Sequence, residues 1–225
     1  ENKPNLFKMT MPGRFFLQQF LHEAVTKGIT HVVLEMTSEG ARQYRHKGIE
    51  MNALVFTNLA PEHLESHGGM EAYAEAKLSI AEHLATSQKR PRYIVANMDD
   101  AYGKRFLDIP VETKVPFSLK DAEPYSVDDK SVRFLWRREL FTVPLPGLFN
   151  LKNVLACLAL GEAMHIPLLT MQRALEHIAP VPGRAERVNR GQQFNVVVDY
   201  AHTPDSLRAL FEAFKGKRLI GVMGS

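Results

Sequence analysis

The 225-residue chain has the length and composition of a globular protein with one domain and part of another. Hydrophobic residues make up 45% of it, charged residues 24%, and no apolar run reaches the roughly 20 residues that a membrane-spanning helix needs. The net charge of +3 is spread over interleaved bases and acids, which is only a weak argument for nucleic acid and suits an anionic small substrate equally well, so we predict no nucleic-acid partner. The single cysteine, Cys157, excludes a disulfide framework and predicts a reducing, cytoplasmic location.

The two ends of the sequence indicate a fragment. The chain begins without Met at Glu1, and it stops after an apolar, strand-like run that leads into Gly224 and Ser225. A strand followed by a turn of small residues normally continues into a helix. We therefore expect the chain to be cut at both ends.

Strand-like and helix-like patterns alternate over the first hundred residues. Apolar residues at helical spacing predict helices over residues 14–27 and 69–86, and apolar runs predict strands over residues 30–36, 52–56 and 92–96. This alternation predicts an α/β fold, with a mostly parallel sheet flanked by helices on both faces.

The pattern changes to short β-rich pieces between residues 111 and 144. The pieces at residues 131–136 and 140–143 have no helix between them, which predicts an antiparallel region at the edge of the parallel sheet. Two helices are predicted next, over residues 150–164 and 168–178.

A run rich in proline and glycine over residues 179–183 predicts a domain boundary. Residues 1–180 would form a central domain, and residues 181–225 would begin a second α/β domain. The second domain is predicted to start with a β-α-β unit, made of a strand, a helix and a strand over residues 194–198, 203–214 and 218–222.

Two polar residues lie near the carboxyl ends of predicted strands. Glu35 ends one strand, and His63 follows the strand that ends at Phe56. If the strands are neighbours in a parallel sheet, this carboxylate and imidazole meet at one edge, where Mg²⁺ would bind with water and phosphate. Taken singly, Glu35 is equally explained as a solvated strand end and His63 as a capped loop residue.

Lys77 lies in the predicted helix over residues 69–86, in a Tyr-Ala-Glu-Ala-Lys sequence with small neighbours. A lysine buried in this way is a candidate for chemical modification. The alternative is an ordinary surface lysine.

Asn150 and Asn153 lie three residues apart at the start of a predicted helix. Asn150 is placed to cap the helix, and Asn153 would face the same side and read the edge of a base. Capping alone would explain half of this motif.

Asp199 and His202 follow a predicted strand, immediately before a helix that begins with Thr203 and Pro204. Nucleotides and phosphates are commonly held where a strand leads into a helix. Arg184 precedes them and adds a guanidinium suited to phosphate. Capping and turn formation explain each residue singly, whereas their joint occurrence favours a ligand site.

These motifs, in this order, resemble those of the Mur ligases. The resemblance covers nearly the whole chain and is carried by Thr57-Asn58, Glu62-His63, residues 73–77, residues 147–153, residues 182–184 and Asp199 to Ser206. The last segment, Asp-Tyr-Ala-His-Thr-Pro-Asp-Ser, is most similar to that of the UDP-N-acetylmuramoyl-tripeptide synthetases. The implied fold is the Mur ligase central sheet with its flanking helices, followed by the start of a Rossmann-like C-terminal domain.

The resemblance implies an ATP-dependent ligase of peptidoglycan synthesis, which adds an amino acid to UDP-MurNAc-L-Ala-D-Glu through an acyl phosphate. It implies that Glu35 and His63 bind Mg²⁺ and that a carbamylated Lys77 also holds metal, so that these three residues are catalytic. The residues that the resemblance places at ATP are Asn150, Asn153, Arg184, Asp199 and His202. Those that it places at the UDP-MurNAc-peptide acceptor are Thr10, Thr37, Gln43 and Arg45.

The sequence departs from the family pattern at three places. Glu62-His63 replaces the usual Asp-His, Thr37-Ser38-Glu39 replaces Ser-Ser-His, and Met11 replaces a second Thr of the acceptor loop. These changes leave the acceptor open, and the added amino acid is equally open between diaminopimelate, lysine and another.

The sequence contains no Gly-x-x-x-x-Gly-Lys-Ser/Thr motif, which cradles the triphosphate in this family. We expect that motif to precede residue 1, so that the chain by itself is inactive. The alternatives are a related ligase such as folylpolyglutamate synthase and a non-catalytic, Mur-like binding subunit.

Overall fold

The computed structural model describes residues 11–61 and 68–224. The chain divides into two compact units, which are Glu1–Ala96 with Ala101–Lys114 and Asn97–Asp100 with Val115–Ser225. Both sides of the predicted boundary at residue 180 lie within the second unit, and that boundary stays a prediction. No helix in the described part of the chain is long and apolar enough to cross a membrane.

The first unit contains both of the helices predicted for it. Helix α1 is Arg14–Thr26, and α3 is Met70–Thr86. Two short helices without a sequence prediction are also present, α2 at Ser38–Arg42 and α4 at Gly103–Leu107.

Helix α3 supplies much of the core of the first unit. It buries Ala74, Leu78, Ala81 and Leu84, which recur every three or four residues and so lie on one face. These side chains belong to a cluster that includes Phe56 from the neighbouring strand. The helical periodicity of the sequence therefore marks the face that packs inward.

The predicted parallel sheet is present. Strand β1 (Ala53–Phe56) pairs in parallel with β2 (Tyr93–Asn97), with Ala53 opposite Tyr93 and Phe56 opposite Ala96. Strand β3 (Thr113–Phe117) completes a sheet with the order β1-β2-β3. Strand β2 is buried along nearly its whole length, as is typical of a parallel strand covered on both faces.

The strand predicted over residues 30–36 is wrong. No strand is assigned there, and the side chain of Val33 is 97% exposed. A β-strand needs a neighbouring strand to pair its backbone groups, and none of the described strands pairs with this segment. An apolar run in the sequence is therefore not sufficient to predict a β-strand.

The second unit contains an antiparallel sheet with the order β4-β5-β6. Its strands are Tyr125–Val127, Val132–Trp136 and Glu139–Val143, and Val132 lies opposite Val143. The short β-rich pieces are thus confirmed, but their predicted place is corrected. Among the described residues they form a sheet of their own and do not pair with β1, β2 or β3, because each finds its hydrogen-bonding partner in the next strand along the chain.

The two helices predicted after this sheet are confirmed. Helix α5 is Leu148–Ala163, and α6 is Leu168–Glu176. Helix α5 buries an apolar face that includes Leu151, Leu155 and Leu158.

The final part of the chain contains β7 (Glu186–Val188), β8 (Val196–Val198) and helix α7 (Pro204–Ala213). Strand β7 has no counterpart in the sequence prediction, and it pairs antiparallel with β8. The strand predicted over residues 218–222 is wrong, since none is assigned and Val222 is 95% exposed. As with residues 30–36, no described strand pairs with this segment.

Candidate functional site

Three of the residues predicted to bind the acceptor lie on and beside the short helix α2. Thr37 precedes the helix, and its hydroxyl accepts a hydrogen bond from the Gly40 N–H at 3.0 Å, as an N-cap residue does. Gln43 ends the helix and accepts a hydrogen bond from Arg45 Nε at 3.0 Å. The structure therefore brings Thr37, Gln43 and Arg45 into one local network.

Arg45 also ties this network to Met11. Its Nη1 donates to the backbone carbonyl of Met11, whose side chain is buried. A Cβ atom added to Gly40 would lie only 2.4 Å from Met11 Sδ, so the two residues pack in close contact. Met11, which departs from the family pattern, thus packs against the helix that carries the predicted acceptor residues. The predicted Thr10 lies outside the described residues.

His46 follows this network and lies almost completely buried, with 1% of its surface exposed. Neither ring nitrogen has a hydrogen-bond partner among the described residues, and the ring meets that of His83 on α3 edge to face, with centroids 5.1 Å apart. The pKa of His46 is lowered to about 4, mainly by burial and to a smaller extent by the nearby His83 and Lys47. The imidazole is therefore neutral at physiological pH.

The predicted metal and catalytic residues are only partly described. Glu35 is exposed and lies in the segment without an assigned strand, while His63 lies outside the described residues. The predicted convergence of these two side chains therefore stays a prediction. Within residues 11–61 and 68–224, no group of three or more His, Cys, Asp or Glu side chains is placed to hold a metal ion.

Lys77 is half-buried on α3, and its ammonium group lies 5.4 Å from the centroid of the Tyr73 ring one turn away. A cation over an aromatic face is stabilised by the electron-rich ring. Carbamylation would replace the ammonium group with a negatively charged carbamate and would therefore remove this contact. The modification stays a prediction.

The two asparagines of α5 differ in their contacts. Asn150 donates from Nδ2 to the carbonyl of Pro146 at 2.7 Å, which fixes the start of the helix. Asn153 lies nearly one turn further along and is exposed. The expected capping role of Asn150 is thus altered, because its amide binds a preceding carbonyl instead of accepting from a helix N–H. Asn153 stays accessible to a ligand.

Asp199 shapes the turn at the end of β8. Its carboxylate accepts from the Ala201 N–H at 2.7 Å and from the Ala185 N–H at 2.6 Å. Ala185 is buried and has a φ of 46°, a left-handed conformation that non-glycine residues seldom adopt. Asp199 therefore links the turn that carries Arg184 to the end of β8 by hydrogen bonds.

Arg184, Tyr200 and His202 form a stack beside this turn. The guanidinium of Arg184 lies 4.9 Å from the Tyr200 ring centroid, and the His202 ring meets that of Tyr200 edge to face at 5.0 Å. Nδ1 of His202 lies 3.0 Å from the Tyr200 carbonyl, a distance at which it donates a hydrogen bond. The structure thus brings the predicted Arg184, Asp199 and His202 together in one exposed cluster.

Tyr200 was not assigned a role from the sequence, yet it is the centre of this stack. Its ring is largely exposed and separates a cation from an imidazole. An exposed aromatic residue between Asp199 and His202 was the signal available in the sequence, since aromatic faces bind cations and bases.

Two families of protein domains match successive parts of this chain. Residues 6–161 match the Mur ligase middle domain, and residues 183–225 match the Mur ligase, glutamate ligase domain.

Curated relatives carry names that agree with each other. The chain is 34% identical over 209 residues to a UDP-N-acetylmuramoyl-L-alanyl-D-glutamate–2,6-diaminopimelate ligase of Geobacillus thermodenitrificans, covering 88% of the chain and 43% of that relative. It is 34% identical over 221 residues to UDP-N-acetylmuramyl-tripeptide synthetase 2 of Oceanobacillus iheyensis, covering 92% of the chain and 45% of the relative. The chain therefore spans less than half the length of these relatives.

Solved structures show the same fold. A UDP-N-acetylmuramoyl-L-alanyl-D-glutamate–2,6-diaminopimelate ligase superposes with a TM-score of 0.71 at 28% identity, over 90% of this chain and 43% of that one. MurF of Acinetobacter baumannii superposes with a TM-score of 0.66 at 18% identity, over 75% and 38%. With a family match over most of its length and the mixed α/β fold of these structures, the chain belongs to the Mur ligase family.

Proposed function

We propose that this chain forms part of an ATP-dependent ligase that adds an amino acid to UDP-MurNAc-L-Ala-D-Glu in peptidoglycan synthesis. The observation that carries the proposal is the match to both Mur ligase domains in order, together with relatives that are named for this reaction. The expected compartment is the cytoplasm.

The cluster around Tyr200 has the chemistry that a nucleotide requires. Arg184 offers a guanidinium, which suits phosphate oxygens because its donors are planar and always charged. The exposed Tyr200 ring offers a stacking face, and His202 has a second ring nitrogen beyond the one directed to the Tyr200 carbonyl. Asp199 is occupied by two backbone N–H groups and therefore positions this cluster. Asn153 is the exposed polar group of the predicted ATP site on α5.

The network around α2 suits an anionic acceptor. UDP-MurNAc-L-Ala-D-Glu carries phosphates and carboxylates, and Arg45 supplies a guanidinium oriented by Gln43 and the Met11 carbonyl. Thr37 contributes a hydroxyl that already accepts from Gly40 and still has a proton to donate.

The proposed reaction proceeds in two steps. An acceptor carboxylate oxygen attacks the γ-phosphorus of ATP. The bond between that phosphorus and the bridging oxygen breaks, so that ADP leaves and an acyl phosphate forms. The nitrogen of the incoming amino acid then attacks the acyl carbon, loses a proton and expels inorganic phosphate to leave an amide. Negative charge builds up in the transition state of each step, so cationic groups near the phosphates lower the barrier.

Mg²⁺ would supply charge neutralisation at the phosphates. Glu35 is suited to hold it because its carboxylate is exposed and oxygen ligands are what this ion prefers. Lys77 would contribute an oxygen ligand only as the carbamate, formed when its neutral amine adds CO₂ and releases a proton. The parts of His63 and of carbamylated Lys77 rest on the family resemblance.

The test is phosphate release by the complete protein with ATP, Mg²⁺ and UDP-MurNAc-L-Ala-D-Glu, with diaminopimelate, lysine and other amino acids supplied in turn. We expect turnover that requires the acceptor and one class of amino acid. Lys77→Ala should reduce kcat by about a hundredfold or more, the scale seen when one charge-stabilising group is removed. Lys104→Ala is the matched control, since Lys104 is an exposed helical lysine that pairs with Asp108.

Other outcomes would redirect the proposal. Turnover with a folate acceptor in place of the muropeptide would favour the folylpolyglutamate synthase alternative. Nucleotide binding by a folded protein without turnover on any acceptor would favour the non-catalytic binding subunit. Equal activity in Lys77→Ala and in the unsubstituted protein would remove Lys77 from the site.

A further inference from the structure

Asp129 accepts hydrogen bonds from residues in distant parts of the second unit. It lies in the loop between β4 and β5, and only 15% of its side chain is exposed. Its carboxylate accepts a hydrogen bond from Arg187 Nη2 at 2.6 Å and another from the Lys217 ammonium. The pKa of Asp129 lies below its usual value, because the Lys217 ammonium and then the Arg187 guanidinium stabilise the charged form.

The partners of Asp129 belong to the part of the chain that carries Arg184, Asp199, Tyr200 and His202. Arg187 lies on β7, three residues after Arg184. Its Nη1 donates to Asn195 Oδ1 at 2.9 Å, and its guanidinium lies 5.9 Å from the ring of the buried Phe214 at the end of α7. Lys217 follows α7, so one carboxylate binds both the strand between Arg184 and Asp199 and the chain after α7.

The same loop holds the start of α5. The backbone carbonyl of Asp128 accepts from the Gly147 N–H at 3.3 Å, and Gly147 directly precedes the helix that carries Asn150 and Asn153. The Asp128 carboxylate accepts from the N–H groups of Lys130 and Ser131, both at 2.7 Å, as an aspartate at the start of a turn does.

Helix α5 also approaches α7 closely at this point. A Cβ atom added to Gly147 would lie 3.0 Å from the Cβ of Ala213 in α7. Gly147 has a φ of 85°, so it combines a left-handed turn with a contact that leaves no room for a side chain. Helices α5 and α7 therefore meet in close packing, in addition to the charged contacts that Asp129 makes nearby.

We propose that Asp129 is a positioning residue for the nucleotide site, whose pairing with Arg187 and Lys217 holds the Arg184, Asp199 and His202 segment in register with the start of the Asn153 helix. This inference rests on the proposed function of those residues. Asp129 acts through Arg187 and Lys217 and does not itself touch the nucleotide. Its loss would leave two cations facing each other without the carboxylate between them.

The test compares the complete protein with its Asp129→Asn variant, which keeps the shape of the side chain and removes its charge. We expect the KM for ATP and the Kd for ADP to rise about tenfold, the scale of one lost hydrogen bond to a charged group. The KM values for the acceptor and for the amino acid should change less than twofold. If Asp129 only stabilised the fold, its loss would not raise the KM for ATP more than the KM values for the acceptor and the amino acid.

Three further variants separate the outcomes. Asp129→Glu restores the charge and should recover most of the ADP affinity. Lys217→Met leaves the Arg187 pair in place, and should shift ADP affinity in the same direction by a smaller factor even if Asp129→Asn does not fold. Glu212→Gln is the matched control, because Glu212 pairs with Lys215, only three residues further along the chain.

The proposal is overturned if folded Asp129→Asn and Lys217→Met bind ADP as the unsubstituted protein does, or if every KM rises by the same factor. Failure of the unsubstituted complete protein to bind ADP would instead refute the proposed function. The two failures are therefore distinguishable.

Discussion

His46 shows how one buried side chain gives the first unit a pH dependence. An imidazole without hydrogen-bond partners is destabilising when buried, and far more so when it is charged. Because its pKa is about 4 in the folded chain, against 6.5 when unfolded, the unfolded state takes up a proton first as the pH falls. The contribution of the neutral, buried His46 to stability is therefore fully present above pH 6.5 and is lost as the pH falls from 6.5 to 4.

We predict that His46→Phe removes this loss. The shift corresponds to about 3 kcal/mol between pH 7.5 and 4. At pH 7.5 the variant should lie within about 1 kcal/mol of the unsubstituted protein, since an apolar ring of similar shape replaces an unpaired polar one. The measurement is the urea unfolding midpoint by far-ultraviolet circular dichroism at several pH values.

His177→Gln provides the control for this prediction, because His177 is exposed and its ring bonds to the carbonyl of Arg173 one turn earlier. Glu112 should keep its own acid effect in every variant. Arg92 hydrogen bonds hold the pKa of Glu112 at about 2, so its contribution is lost only as the pH falls from 4.5 towards 2. An unchanged pH profile in His46→Phe between pH 6.5 and 4.5 would contradict the assignment.

At the scale of elements, α5 presents one polar stripe on an otherwise apolar helix. Asn150, Asn153 and Cys157 recur at three- and four-residue spacing and so share a face. Its apolar neighbours would favour a buried cysteine, but Cys157 is exposed. Its thiol pKa is nevertheless raised by the desolvating apolar atoms around it, which slows its reaction at neutral pH.

We predict that ATP protects Cys157 from alkylation in the complete protein. At a nucleotide concentration ten times Kd, the rate should fall about tenfold, because only the free fraction reacts. The measurement is mass spectrometry of the peptide that contains Cys157, after timed treatment with iodoacetamide at pH 8.5. UDP-MurNAc-L-Ala-D-Glu alone is the control ligand. Equal rates with and without saturating ATP would show that the nucleotide does not approach this face of α5.

At the scale of the whole molecule, each unit exposes large apolar side chains. In the first unit Phe15 and Val33 are almost fully exposed, and in the second unit Ile220 and Val222 are. Exposed apolar side chains promote association unless another surface covers them. The apolar segments at residues 30–36 and 218–222 also have backbone groups without a described partner strand.

We predict that the 225-residue chain expressed alone self-associates at concentrations of roughly 10 μM and binds an apolar dye, as exposed hydrophobic patches do. A variant with Val33→Thr and Val222→Thr keeps the branched shape of both side chains and should associate less. Size-exclusion chromatography with light scattering measures the effect. A monomer without dye binding would show that these surfaces do not drive association.

Local pattern determined much of the fold from the sequence alone. The helices over residues 14–27, 69–86 and 150–164 were predicted within two residues of their observed ends, because a helix bonds to itself and its buried face repeats along the chain. The order of the motifs was also sufficient to identify the family, which the domain matches confirm.

Only the tertiary structure decided which residues meet. Residues 30–36 and 218–222 look like strands, but a strand exists only where another segment supplies its hydrogen bonds, and local periodicity does not contain that information. The burial of His46 and the pairing of Asp129 with Lys217, 88 positions away in the chain, likewise depend on contacts between distant segments. The sequence by itself therefore determined the elements and the family, and the packing of distant segments determined the arrangement of the candidate site.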